Sequence, residues 1–132
     1  ERDYLRQHQE ELKECVSCLN KLASVLMDAE EAIILFDLNG NIVAWNKGAE
    51  HLYGWVSREA LKMSFLEIVP REEQTNMLKL NNEIMSGEGS KTIRSKRLTK
   101  HGQTITITMT ASVLGYQSGE ILLIISNERI IN

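Results

Sequence analysis

The chain lacks the features that would place it in a membrane, on nucleic acid or among enzymes. No apolar run approaches the roughly 18 residues that a membrane span needs. No signal peptide is visible either, so no direct membrane contact is expected. Positive charge is not in excess: 15 Lys and Arg against 18 Asp and Glu leave a net charge of −3. That balance gives no basic face for nucleic acid. The single basic run, Lys91, Arg94, Lys96, Arg97 and Lys100, reads as protection of a strand edge against pairing with other chains.

Cysteine and histidine are equally sparse. The two cysteines, Cys15 and Cys18, lie three apart in a helical stretch. A lone Cys-x-x-Cys has no second ligand pair for zinc, and it does not open a helix after a strand as a redox motif would. Buried thiols there act as small apolar groups. The three histidines are scattered, no Ser or Cys stands beside a base, and no glycine loop could cradle phosphate. Neither a metal site nor catalysis is expected.

What is present falls into two parts, a helix over residues 1–27 and a domain over 28–132. The helix has no Gly or Pro. Its seam of Leu5, His8, Leu12, Cys15, Leu19, Leu22 and Leu26 steps by three and four, with Leu at every seventh position. His8 and Cys15 are weak core residues, so this helix would be marginal alone. Pairing with a second copy and folding back on its own sheet both fit, and the two are compatible.

Beyond the helix, Ala32–Phe36 is apolar on both faces, and Ile42–Trp45 is a shorter run. Asn39-Gly40 between them supplies the positive φ of a tight hairpin. Asn46 is a good N-cap for a helix over 47–53, ended by Gly54. Ser57 is expected to cap a second short helix. Pro70 suits the start of a third, running to about Met85, with Met77, Leu80 and Ile84 on one face. Three strands follow, over about 92–99, 104–111 and 121–125. The middle one alternates without a break, so Ile105, Ile107, Met109 and Ala111 share a face.

Strands buried on both faces belong at the centre of a sheet, and alternating or basic ones toward its edges. The first and fifth strands are therefore neighbours, and sequential pairing of the rest gives the order 2-1-5-4-3. The predicted class is α+β, a five-stranded antiparallel sheet with helices on one face. A single helical layer over such a sheet leaves one enclosed pocket, an arrangement that suits a sensory domain better than an enzyme.

The run Phe36–Trp55, the segment Ser57-Arg-Glu-Ala-Leu61 and the turn Leu98-Thr-Lys-His-Gly102 together resemble a PAS domain, over about residues 28–127. The resemblance implies the same strand order and a cavity between sheet and helices where relatives hold haem, flavin or small metabolites, or nothing known. It also implies an input or dimerisation role beside a signalling output domain, in the same or a partner chain. Examples are histidine kinases, cyclic-dinucleotide enzymes, chemoreceptors and transcription regulators. Adduct-forming flavin relatives carry an Asn-Cys-Arg-Phe motif inside the domain. Here both cysteines precede it, which excludes that photochemistry. Haem-binding relatives similar to oxygen sensors ligate iron through a His on the long helix. Residues 73–85 contain none, while His51 and His101 lie elsewhere, so haem is disfavoured; a dissociable flavin stays open. The family often ends its last strand in Asp-x-Thr. At the corresponding place, Asn127 stands in for the acid and Arg129 is a poor threonine, which shifts weight to the N-terminal helix.

A ligand in the implied cavity would meet Ile34 and Phe36, with Ile42 and Ala44 opposite them. Ile107 and Met109 would come from the fourth strand, and Met63, Leu66, Met77 and Leu80 from the helices. Asn81 or Asn82 could orient it, and Trp45 or Trp55 could stack on it. Each also serves as ordinary core or surface. Three functions stay open: a small-molecule sensor, which includes a redox or gas sensor; a ligand-free interaction module that forms a homodimer; and, weakest, an enzyme. The chain opens at Glu1 without Met and reads as part of something longer. A cytoplasmic setting is expected, with room for an anchor elsewhere.

Overall fold

The computed structural model describes residues 2–115 and 122–131, with side chains for all of these except residues 2, 3, 11, 12, 14–16, 18–20, 22, 23, 88, 114, 115 and 122. A long helix α1 (Arg2–Asp28) precedes the hairpin β1 (Ala32–Asp37) and β2 (Ile42–Trp45). Short helices α2 (Lys47–Tyr53) and α3 (Ser57–Ala60), a 3₁₀ turn (Phe65–Ile68) and helix α4 (Arg71–Glu83) follow. Strands β3 (Lys91–Leu98), β4 (Thr104–Gly115) and β5 (Leu122–Ile130) complete the sheet. It is antiparallel throughout, in the order β2-β1-β5-β4-β3.

The β1–β2 turn departs from the expected pair of left-handed residues. Gly40 alone has a positive φ, 88°. The Asp37 carboxylate does the remaining work, accepting from the backbone N–H of Asn39 and Asn41 at 2.9 Å each. This is a three-residue loop with glycine in the left-handed position. A bulge then shifts the β1–β2 register, so that Phe36 pairs with Ile42, Leu35 with Ala44 and Ile34 with Trp45. Directly opposed residues share a face. Ile42 and Trp45 therefore turn inward, and Ala44 turns outward beside Leu35, against the expectation that it faces the cavity. The extra residue is Val43, which is exposed.

Ser57 does not cap α3. It lies in the first turn, where its backbone N–H donates to the Glu50 carboxylate at 2.6 Å. The Glu59 carboxylate accepts from the Val56 N–H at 3.2 Å. On α4 and the wider turn that continues it, Met77, Leu80 and Ile84 form one buried face. Strand β5 runs past the expected end at Ile125. Its polar residues Ser126 and Glu128 continue the inward alternation begun by Ile124, and both are buried.

The segment between α1 and β1 is seated tightly on α2. The Gly48 N–H donates to the Ala29 carbonyl at 3.1 Å. A Cβ at Gly48 would lie 2.4 Å from the backbone of Glu30 and Glu31. Gly48→Ala is therefore expected to cost about 1–3 kcal/mol in denaturant unfolding, the usual range for overpacking. An unchanged midpoint would mean that the segment does not rest on α2.

Candidate functional site

The inward positions of β3 alternate as Ile93, Ser95 and Arg97, and those of β5 as Ile124, Ser126 and Glu128. Strand β4 lies between them, pairing Ile107 with Ser95 and Met109 with Glu128. Arg97 therefore reaches across β4 to meet Glu128. Its Nε donates to Glu128 Oε1 at 3.1 Å, and both side chains are 0% exposed. Nη1 donates to Ser95 Oγ at 2.7 Å and to the Lys96 carbonyl at 2.9 Å. Nη2 faces the sulfurs of Met109 at 2.8 Å and Met77 at 3.4 Å. The Phe65 ring covers the guanidinium, 5.1 Å from its carbon, and stacks in turn on Phe36.

Glu128 is held from two more directions. Ser126 Oγ donates to Oε2 at 2.8 Å, and the Tyr53 hydroxyl, at the end of α2, donates to Oε1. Among the described residues no buried side-chain N or O lacks a partner. Such completeness matters because a charge taken out of water is tolerated only when paired and hydrogen-bonded. Thioethers are weak acceptors, so Nη2 is the least well satisfied corner of the cluster.

Burial pushes the Tyr53 phenol well above its usual range, and the Glu128 charge adds to this while Arg97 opposes it. A raised folded-state pKa means that the folded chain keeps a proton the unfolded chain releases. This contribution to stability is complete below the ordinary phenol value of about 10 and is lost as pH rises above it. The chain has three tyrosines. In an absorbance titration, the Tyr53 phenolate is expected to appear only together with unfolding. Ionisation of all three near the ordinary value, with the fold intact, would contradict the burial.

Of the side chains expected to line a cavity, Ile34, Phe36, Ile42, Met77, Leu80, Ile107 and Met109 are buried. They form one core with Tyr53 and Phe65. Met63 is half-buried against it. Leu66 is half-buried and outside that core, because the 3₁₀ turn sends Phe65 and Ile68 inward instead. Asn81 is half-buried, and Asn82 lies exposed in a shallow surface groove with Thr75 and Leu78. Trp45 is buried, with its indole N–H on the Trp55 carbonyl at 2.9 Å. Trp55 is half-buried under the Lys100 ammonium, and His51 and His101 are exposed.

On α1, Leu5, His8 and Leu26 are exposed; the side chains of Leu12, Cys15, Leu19 and Leu22 lie outside those described.

The polar residues of the cluster, Tyr53, Ser95, Arg97, Ser126 and Glu128, were not among the expected site residues, whereas Met77 and Met109 beside them were. Arg97 was assigned to the basic edge of β3. The strand is indeed at the sheet edge, with Arg94 and Lys96 exposed, but Arg97 has the opposite parity and points inward. On β5 the inward acid is Glu128, while Asn127 pairs with Ile33 on the other face. The available signal was that parity, which puts an arginine and a glutamate in phase with the apolar positions of their strands.

The family model for the PAS fold matches residues 20–127. The chain belongs to the PAS family. Solved PAS structures share its fold at low identity. The PAS domain of a Colwellia psychrerythraea protein superposes with TM-score 0.80 at 22% identity, covering 86% of this chain and 97% of its own. A PAS domain from a two-component sensor histidine kinase gives TM-score 0.71 at 15% identity, with 88% and 99% covered. A domain of a sensory box sensor histidine kinase/response regulator from Geobacter sulfurreducens gives 0.67 at 19%, with 83% and 91% covered. No curated protein sequence matches. In this PAS domain the buried Arg97–Glu128–Tyr53 cluster lies between sheet and helices. Among the described residues no group of His, Cys, Asp and Glu could hold a metal ion.

Proposed function

We propose that this PAS domain is a sensory module of a larger signalling protein, which homodimerises through α1 and relays a signal by protein–protein contact to an output domain in the same or a partner chain. The observation that carries the reading is the interior cluster. Its charges neutralise each other, and a ligand entering between sheet and helices must displace Phe65, Met77 or Met109 from around Arg97. The same sealing argues against catalysis, since neither Glu128 nor Arg97 reaches solvent.

Helix α1 supports the dimer. It leaves Leu5, Val25, Leu26 and Met27 exposed, and its seam repeats in heptads that a second copy could cover. No helix among the described residues is long and apolar enough to cross a membrane; a cytoplasmic setting is part of the proposal. Replacing both Leu12 and Leu19 with Glu is expected to convert a dimer into a monomer in sedimentation equilibrium. An unchanged mass would overturn dimerisation through α1.

A second reading, a small ligand in the pocket, is favoured by one observation. Among the described residues Arg97 Nη2 faces only two thioethers on flexible side chains, and a ligand oxygen would be a better acceptor than either. A flavin held without a covalent adduct belongs to this reading. Haem has less support, because α4 offers no histidine.

A further inference from the structure

Helix α2 is gripped at both ends through buried side chains of its own, whose partners lie in different parts of the molecule. At its start, the Asn46 Oδ1 accepts from the N–H of Ile33 in β1 and of Ala49 in α2, both at 2.9 Å. Its Nδ2 faces the carbonyls of Leu26 in the last turn of α1, at 2.9 Å, of Ala29 at 3.3 Å and of Glu31 at 2.8 Å. One side chain thus holds the exit of α1, the start of β1 and the cap of α2. At the other end, the Tyr53 hydroxyl donates to Glu128, and the Tyr53 carbonyl accepts from the Lys100 N–H at 2.8 Å. Only two turns of helix separate the grips. Such a segment moves as a unit, because its backbone hydrogen bonds run along its axis.

We infer that α2 is a coupling lever: whether Tyr53 is bonded to Glu128 sets the position of Asn46 and hence the direction in which α1 leaves the domain. Anything that draws Glu128 or Arg97 away, a ligand on Nη2 or a partner straining β5, releases the C-terminal end of α2. The released helix loosens the Asn46 grip on Leu26, Ala29 and Glu31. The linkage is reciprocal, so a torque on α1 alters the environment of Glu128 in the same measure. The inference deepens the sensory reading and rests on it only for the direction of the signal.

The test is amide hydrogen exchange on the full chain carrying Tyr53→Phe, which keeps the ring against Trp45 and removes the hydroxyl. Protection of the Ile33 and Ala49 amides is expected to fall by about tenfold, a typical coupling. The comparison is Ile84→Val, which loosens the α4 face without touching α2 and controls for general destabilisation. Equal losses in the two variants, or none at Ile33 and Ala49, would overturn the lever. If Tyr53→Phe fails to fold, the reverse experiment serves. Asn46→Ser keeps the cap but drops the α1 grip, and it should shift the Tyr53 ring resonances; unshifted resonances would overturn the lever. Repeating the measurement on the Leu12→Glu/Leu19→Glu chain separates the lever from dimerisation, since exchange is read within one chain.

Discussion

Arg97→Met is expected to destabilise the domain by about 3–5 kcal/mol, because it leaves the Glu128 carboxylate buried without its counter-charge. Domains of this size hold only about 5–15 kcal/mol in reserve, so such a loss removes a large share of it. The loss arises from the abandoned charge and much less from the missing contacts of the arginine. Adding Glu128→Gln to Arg97→Met is therefore expected to restore part of it. The amide carries no charge and its oxygen still accepts from Tyr53. Chemical denaturation of the native, single and double variants provides the comparison. A single-variant loss under about 1 kcal/mol, the usual worth of a surface pair, would contradict the buried cluster.

Asn46→Ala is expected to cost about 2–4 kcal/mol, since it strands the N–H groups of Ile33 and Ala49 and removes the donor to three carbonyls. Aspartate is the sharper probe. As an N-cap it equals asparagine, so a side chain that only capped α2 would tolerate Asn46→Asp. Here the second oxygen would face the carbonyls of Leu26, Ala29 and Glu31, acceptor against acceptor, in place of an amide donor. Asn46→Asp is therefore expected to lose at least as much as Asn46→Ala. An aspartate variant as stable as the native chain would reduce Asn46 to a simple cap and weaken the coupling through α2.

The strand order was legible because it follows from apolar patterning alone. Ala32–Phe36 carries apolar side chains on both faces, which only a central strand can bury, and Thr104–Ala111 alternates without a break. The caps at Asn46 and Gly54 were legible for the same local reason. Long-range polar pairing was not. Arg97 and Glu128 belong to strands separated by β4, and nothing in either local sequence announces the partner. The polar run Ser126-Asn127-Glu128-Arg129 looked like the end of a strand, yet alternate members face inward and are buried by partners from elsewhere. The bulge at Val43 misplaced Ala44, because one extra residue reverses the facing of everything after it on β2. Leu66 was misplaced because the 3₁₀ turn faces Phe65 and Ile68 inward. Leu12, Cys15, Leu19 and Leu22 lie on a backbone that is helical from Arg2 to Asp28; their role in pairing is what the glutamate substitutions test.

Native mass spectrometry of the purified chain, with an absorption spectrum of the same sample, tests the central claim that the domain signals as a dimer whose interior is filled by its own side chains. The expected result is a single species at twice the chain mass, with no bound small molecule and no absorbance beyond that of the aromatic residues. A stoichiometric extra mass or a visible absorption band would contradict it and favour the reading with a resident ligand.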